Sequence, residues 1–226
     1  MSFAKRFVNS VLRTCFRLFF KIDRSELVRV PLAGPLMMIV NHTSVFEGPM
    51  LYVFLQPRAM HALAKKELWK NPVTRYLMNL WESIPVDRGN VDRQAMDAIF
   101  TVLDKGEIFA IAPEGTRSKD GTLQRGKSGI AFIAYKNRTP MVPIAVTGFE
   151  NFRRNLLRLR RTRITIRVGD VFRPIAHGGR LDAEGRQALA DEMMVRIASL
   201  MDERHQGYYK TFDPTFTLTE TLSLQG

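Results

Sequence analysis

The chain of 226 residues is long enough for one α/β domain with a substantial core, and its hydrophobic fraction of 45% and charged fraction of 25% are ordinary for a globular protein. Its single cysteine excludes an intramolecular disulfide framework, and four histidines without CxxC or HExxH spacing argue against a structural zinc site. The net charge of +12 is unusual, and by itself it allows either nucleic acid or an anionic lipid surface as a partner.

The first 22 residues carry five basic side chains and no acid. Apolar residues recur there at helical spacing, beside a separate basic face: Phe3, Phe7, Val11, Cys15, Leu18 and Ile22. A phenylalanine-rich face next to a basic one predicts an amphipathic helix that lies in a membrane interface, and we assign residues 1–24 to this membrane-binding segment. The alternative is a helix that packs on its own domain.

Residues 30–46 are uncharged over 17 positions, which is close to the length of a transmembrane helix. Pro31, Gly34 and Pro35 interrupt this stretch, so it predicts short strands around a turn and not a membrane span. The arginines inside the first apolar segment and the lack of a small-residue cleavage site argue against a signal peptide. We therefore expect a protein that is bound to a membrane surface.

The rest of the chain alternates strand-like and helix-like patterns. The predicted strands are 26–30, 36–40, 60–64, 83–86, 108–112, 141–146 and 163–168. The predicted helices are 45–55, 66–81, 92–103, 127–136 and 183–201. This alternation predicts a single α/β domain over residues 25–206, in which a mixed, mostly parallel sheet is flanked by helices. We expect residues 207–226 to form a loosely attached tail.

Residues 151–169 form a second basic segment, in which seven arginines alternate with leucines and isoleucines and no acid occurs. This segment can rest on anionic lipid headgroups, attract the phosphates of coenzyme A or an acidic carrier protein, or be a strand edge protected by charge. Residues 153–169 contain no aromatic side chain, and the chain has no helix-turn-helix or zinc-finger spacing. A nucleic-acid-binding protein is therefore the weaker interpretation.

Polar clusters follow three of the predicted strands: Asn41-His42 with Glu47, Asp87-Arg88, and Glu114-Gly115-Thr116-Arg117. Open α/β sheets bind ligands outside the carboxyl ends of their strands, so we expect the clusters to face one crevice. A carboxylate at position 47 can fix the tautomer of His42 and leave the other ring nitrogen to accept a proton. Arg88 and Arg117 are suited to hold a phosphate. A structural histidine and local ion pairs of the arginines are the alternatives.

These clusters also carry a family resemblance. The segments NHTSVFE, IPVDRG, FAIAPEGTRS and VPIAVTG resemble, in order and spacing, the four motifs of the glycerolipid acyltransferases, the group that contains bacterial 1-acylglycerol-3-phosphate acyltransferase. The resemblance covers roughly residues 34–170. The chain departs from the family pattern at Glu47, where an aspartate is usual.

The resemblance implies acyl transfer without an acyl-enzyme intermediate. His42, paired with Glu47, would deprotonate the free hydroxyl of a lysophosphatidate, and that hydroxyl would attack the thioester of acyl-CoA or acyl-carrier protein to give phosphatidate. The residues implied to hold the glycerol phosphate are Arg88, Glu114, Gly115, Thr116 and Arg117. The resemblance implies no resident cofactor or metal, and a place on the cytoplasmic face of a bacterial cell membrane. Another lysolipid acceptor, a hydrolase that activates water, and an inactive relative are the alternatives.

Overall fold

The structure is a computed structural model, and it describes residues 3–87, 93–175 and 181–223. Arg88, and Asp92 at the start of a predicted helix, lie outside the described residues. The described α-helices are α1 (Phe3–Phe19), α2 (Glu47–Phe54), α3 (Pro72–Leu80), α4 (Arg93–Asp104), α5 (Gly129–Asn137), α6 (Phe152–Leu157) and α7 (Ala183–Ala198). The described strands are β1 (Phe20–Asp23), β2 (Leu36–Val40), β3 (Met60–Lys65), β4 (Ile84–Val86), β5 (Ile108–Ile111), β6 (Met141–Thr147), β7 (Thr162–Val168), β8 (Phe172–Pro174) and β9 (Thr219–Thr221).

The strands in the described part of the chain form one sheet in the order β1-β7-β6-β2-β5-β3-β4, and β8 joins it by pairing with β6 and β9. Strand β2 runs parallel to both β5 and β6, and β3 runs parallel to β5 and β4. The antiparallel pairs are β6 with β7, β6 with β8, and β8 with β9. The prediction of a mixed, mostly parallel sheet flanked by helices is confirmed.

The central strand β2 is buried along its whole length, because helices cover both faces of the sheet there. Side chains that alternate along a strand point to opposite faces. Met37 and Ile39 accordingly pack in one apolar layer with α4, α5 and α7, and Met38 and Val40 pack in the other with α1 and α2. This two-sided burial explains why the strand is apolar at every position.

Three predictions about secondary structure are wrong. The helix predicted over residues 66–81 is divided, because Asn71 is extended and caps α3 after a 3-10 helix at Lys66–Trp69. Residues 26–30 are not a strand, since Ser25–Arg29 forms a 3-10 helix. Leu27 and Val30 are buried while Val28 is exposed, and this three-residue spacing fits a 3-10 turn better than the alternation of a strand. The tail is not loose over its described residues, because β9 pairs with β8. The segments assigned as 1–24 and 207–226 thus each contribute a strand to the sheet.

Helix α1 packs one side of its apolar face on the domain. Phe16 is buried, and its ring centroid lies 6.1 Å from that of Phe20 and 6.5 Å from that of Phe54. The other side of that face is exposed, and it carries Phe3, Phe7, Val11 and Leu18. In the described part of the chain, no helix combines the length and the apolar character that crossing a bilayer requires.

Candidate active site

The carboxyl ends of the parallel strands β2, β5, β3 and β4 lie side by side at one edge of the sheet. Residues from all four strand ends line a cavity of about 780 Å³. This is the edge at which open α/β sheets bind ligands, and the volume is typical of a ligand pocket. The crevice expected from the polar strand ends is therefore present as a cavity.

The backbone of His42 is fixed by contacts to two neighbouring strand ends. Asn41 continues the pairing of β2 with β6: its side-chain amide donates to the Val146 carbonyl at 2.9 Å, and its Oδ1 accepts from the Val146 N–H at 2.7 Å. The N–H of His42 donates to Oε1 of Glu114 at 2.8 Å, and its carbonyl accepts from the Ser118 N–H at 2.7 Å. The turn after β2 and the loop after β5 are thereby joined at the histidine.

The imidazole of His42 pairs with the carboxylate of Glu47 at the start of α2. Nδ1 lies 2.8 Å from Oε2, while Oε1 accepts from the Thr43 N–H at 2.7 Å, the Thr43 hydroxyl at 2.6 Å and the Ser44 N–H at 2.9 Å. A carboxylate accepts hydrogen bonds only, so Nδ1 carries the proton and Nε2 is the basic nitrogen. His42 lines the cavity, and no group in residues 3–87, 93–175 or 181–223 hydrogen-bonds to Nε2.

The longer side chain at position 47 is compatible with this pairing. Glu47 is only 1% exposed, and its extra methylene lets one oxygen reach the imidazole while the other binds the turn at Thr43 and Ser44. The departure from the aspartate of the family pattern therefore leaves a carboxylate in contact with Nδ1.

Glu114 lies behind His42, outside the cavity lining. It is 1% exposed, and its second oxygen accepts from the Gln124 N–H at 3.0 Å. Burial raises the pKa of this carboxyl from 4.5 to about 7, although the hydrogen bonds from the Gln124 and His42 N–H groups act in the opposite direction. Because both oxygens are occupied by backbone donors, the side chain supports the backbone of the histidine and does not face the cavity.

The loop beyond Glu114 leads away from the cavity. Gly115 lines the cavity with a φ of +67°, a backbone conformation that favours glycine. Thr116 and Arg117 are exposed, and neither is among the lining residues. Arg88 lies outside the described residues. Of the predicted site residues, the structure therefore places His42, Glu47 and Gly115 at the cavity.

Two lysines that the sequence analysis did not select also line the cavity. Lys65 ends β3, so its position at a strand exit was a usable signal. Lys127 precedes α5 and passes over Gly115, where its Cγ would lie 3.4 Å from an added β-carbon. Only the folded loop brings Lys127 to this place, and no local pattern reveals it. Most of the remaining wall is apolar and includes Leu51, Met60, Leu63, Met96, Ile130, Phe132 and Ile133.

Comparison with known proteins gives matches to one family. The sequence model described as acyltransferase matches residues 21–147, which is more than half of the chain. A 1-acyl-sn-glycerol-3-phosphate acyltransferase of Cocos nucifera is 35% identical over 141 residues, which cover 61% of this chain and 44% of that protein. The protein of the same name from Bacillus subtilis (strain 168) is 32% identical over 120 residues, which cover 53% of this chain and 59% of that protein. The chain spans about half the length of the curated relatives it matches.

The fold is shared with a solved structure. The crystal structure of the 1-acyl-sn-glycerophosphate acyltransferase PlsC from Thermotoga maritima superimposes with a TM-score of 0.62 and 22% identity, covering 87% of this chain and 78% of that chain. At this identity the likeness concerns the fold alone. The family match spans the strand β2, the His42–Glu47 pair and the loop after β5. The chain belongs to the acyltransferase family.

Proposed function

We propose that the protein transfers an acyl chain from acyl-CoA or acyl-carrier protein to the free hydroxyl of 1-acylglycerol 3-phosphate, which gives phosphatidate. The observation that carries the proposal is the His42–Glu47 pair, held at 2.8 Å, with the imidazole at the wall of a largely apolar cavity. The names of the relatives from Cocos nucifera and Bacillus subtilis support the choice of acceptor.

In the proposed reaction, Nε2 of His42 takes the proton of the acceptor hydroxyl while the hydroxyl oxygen attacks the thioester carbonyl carbon. The carbon–sulfur bond then breaks, and the leaving sulfur takes the proton from the imidazolium. The products are an ester and a free thiol. Glu47 keeps Nδ1 protonated and stabilises the transient positive charge of the ring.

The cavity lining supports direct transfer between the two substrates. The lining residues in the described chain include no serine, threonine or cysteine that could form an acyl-enzyme. The apolar part of the wall suits an acyl chain, because ligand pockets combine an apolar surface with a few polar groups. Lys65 and Lys127 provide positive charge for a phosphate at the same cavity. Arg88 and Arg117, which the family resemblance implies, are further candidates for phosphate binding.

We place the protein on a membrane surface through the exposed side of α1. Phe3 is 81% exposed and Phe7 is 61% exposed, in a segment with five basic and no acidic residues. Phenylalanine and basic side chains together favour adsorption to an anionic lipid interface. For a bacterial cell this corresponds to the cytoplasmic face of the cell membrane. Membrane binding through α1 can be tested by substitution of Phe3 and Phe7 with serine. This test is more selective than deletion of residues 1–22, because the deletion removes most of β1.

The proposed function can be tested with purified protein, labelled acyl-CoA or acyl-carrier protein, and a panel of lysolipid acceptors. We expect labelled phosphatidate from lysophosphatidate, and no release of fatty acid when the acceptor is omitted. Fatty acid release without an acceptor would instead identify a hydrolase. A different preferred lysolipid would keep the reaction type but replace the acceptor, and no product with either donor would reject the proposal.

A further inference from the structure

The end of α6 and the loop that leads from it to β7 hold two leucines in an unusually exposed position. Leu157 is 87% exposed and Leu159 is 96% exposed. Leu159 has a φ of +52°, a left-handed conformation that is unfavourable for leucine, and its N–H donates to the Leu156 carbonyl at 3.0 Å. A turn that holds apolar side chains outward at an energetic cost indicates that an apolar partner covers them.

The charges around these leucines specify the chemistry of that partner. The exposed arginines that surround them are Arg153, Arg154, Arg158 and Arg160. Residues 151–169 contain no acidic residue that would offset these positive charges. A partner with negative charge at its surface and an apolar interior matches both features, and an anionic lipid bilayer is such a partner. A soluble polyanion would account for the arginines but not for the leucines.

The loop is continuous with the exposed end of α1. The guanidinium of Arg161 donates to the Arg17 carbonyl at 2.5 Å and to the Phe20 carbonyl at 2.7 Å. The ring centroids of Phe152 and Phe20 are 5.1 Å apart. Because α1 ends immediately before Phe20, the loop and the end of the helix form a single surface, and Leu18 is exposed on it at 66%.

This surface lies on the side of the sheet at which the strands leading to the candidate active site end. Strand β7 is antiparallel to β6 and begins at Thr162, so its start lies at the carboxyl end of β6. Strand β6 is parallel to β2, whose carboxyl end leads to His42. Two strand spacings, roughly 10 Å, separate β7 from β2. The ring of Phe46, which precedes Glu47, also lies 5.4 Å from that of Phe152.

We propose that residues 153–160 form a second membrane-binding element beside α1, in which Leu157 and Leu159 insert between lipid tails and the arginines contact anionic headgroups. The role of this element, which is to bring the cavity to a lipid acceptor, rests on the proposed function. Binding to lipid can nevertheless be measured without turnover.

The test compares the full chain with the double variant Leu157→Ser/Leu159→Asn, since asparagine tolerates the left-handed backbone. The measurement is partition onto vesicles that contain phosphatidylglycerol, by sedimentation. We expect a loss of at least about tenfold, because two leucines no longer leave water. The matched control is Val28→Ser/Leu32→Asn, at two positions that are 85% and 91% exposed but lie at the opposite edge of the sheet. The control should bind as the unchanged protein does.

Two outcomes overturn the inference: equal loss in the control, or unchanged partition of the leucine variant, including the case in which only Arg158→Gln/Arg160→Gln loses binding. The last result would identify a site for a soluble polyanion. The arginine variant should lose binding to phosphatidylglycerol vesicles and show little change on phosphatidylcholine alone. The leucine variant should still acylate a water-soluble, short-chain lysophosphatidate. Leucine-dependent binding without any phosphatidate formation would reject the proposed function and leave the surface in place.

Discussion

Replacement of Glu114 by glutamine tests whether this residue supports the backbone of His42 or binds the acceptor. The two oxygens of Glu114 accept from the N–H groups of His42 and Gln124, at 2.8 Å and 3.0 Å. A glutamine has one carbonyl oxygen, so its amide group must face one of these donors and leave it without a partner. If that donor belongs to His42, the imidazole loses a backbone restraint. We expect kcat to fall by about 10–100-fold, the scale of a misplaced catalytic group, with little change in the acceptor KM.

The stability cost of the same substitution should depend on pH and should largely disappear at high pH. The pKa of Glu114 rises from 4.5 to about 7, so the folded protein favours the protonated carboxyl. This shift destabilises the fold progressively between about pH 4.5 and 7 and by roughly 3 kcal/mol above that range. An unpaired buried N–H in the glutamine variant costs about 1–3 kcal/mol at every pH. The variant should therefore be less stable than the unchanged protein near pH 5 and about equally stable near pH 8.

Denaturant unfolding of both proteins across this pH range checks the predicted change in stability, and steady-state kinetics check the predicted fall in kcat. Glu203→Gln makes the same change at a side chain that is 79% exposed and should alter neither stability nor rate. A stability difference that is independent of pH would contradict the assignment of Glu114 as a buried, titrating carboxyl. A raised acceptor KM with unchanged kcat would return Glu114 to the substrate-binding role that the family resemblance implies.

Substitutions at the cavity test the other proposed roles. His42→Ala should lower kcat by about 10²–10⁴-fold without unfolding the protein, as expected for loss of a general base, and turnover like that of the unchanged protein would exclude this role. Glu47→Gln should place an amide N–H against Nδ1 and move the ring proton to Nε2, so kcat should fall by about 10²–10⁴-fold while nitrogen NMR shifts of His42 report the changed tautomer. Lys127→Ala should raise the lysophosphatidate KM by about 10–100-fold with kcat retained. The family resemblance implies the same result for Arg117→Ala, although its side chain is exposed outside the cavity lining, and an unchanged KM would remove either residue from the phosphate site.

The strand ends could be located from sequence because burial on two faces demands an uninterrupted apolar run. Strand β2 is such a run, and the polar residues that follow it, Asn41 and His42, mark where it ends. The carboxylate at position 47 could also be identified, because it is the first charged side chain after that strand. Parallel pairing then brings the strand ends together whatever the loops do.

The direction of the loops could not be derived in this way. Glu114 and Arg117 are three residues apart, yet one is buried behind His42 and the other is exposed. The positive φ of Gly115 and the hydrogen bond from Ser118 to the His42 carbonyl set these directions. The hydrogen bond joins segments that are distant in the sequence, so no local pattern reveals it. The short strands β1, β8 and β9 escaped prediction because each has only three or four residues and includes a charged side chain, so none shows the apolar run that marks the equally short β5.

Two buried carboxylates restrain the same histidine from different elements of the fold. Glu47 at the start of α2 orients the ring, and Glu114 after β5 holds the backbone. Each is 1% exposed, so neither restraint depends on solvent or on the outer surface of the protein. The apolar and basic surface of α1 and residues 153–160 lies outside this unit, at the same edge of the sheet. Adsorption to a membrane should therefore act through the local concentration of lipid acceptor and appear in its KM, because the position of the base is already fixed within the domain.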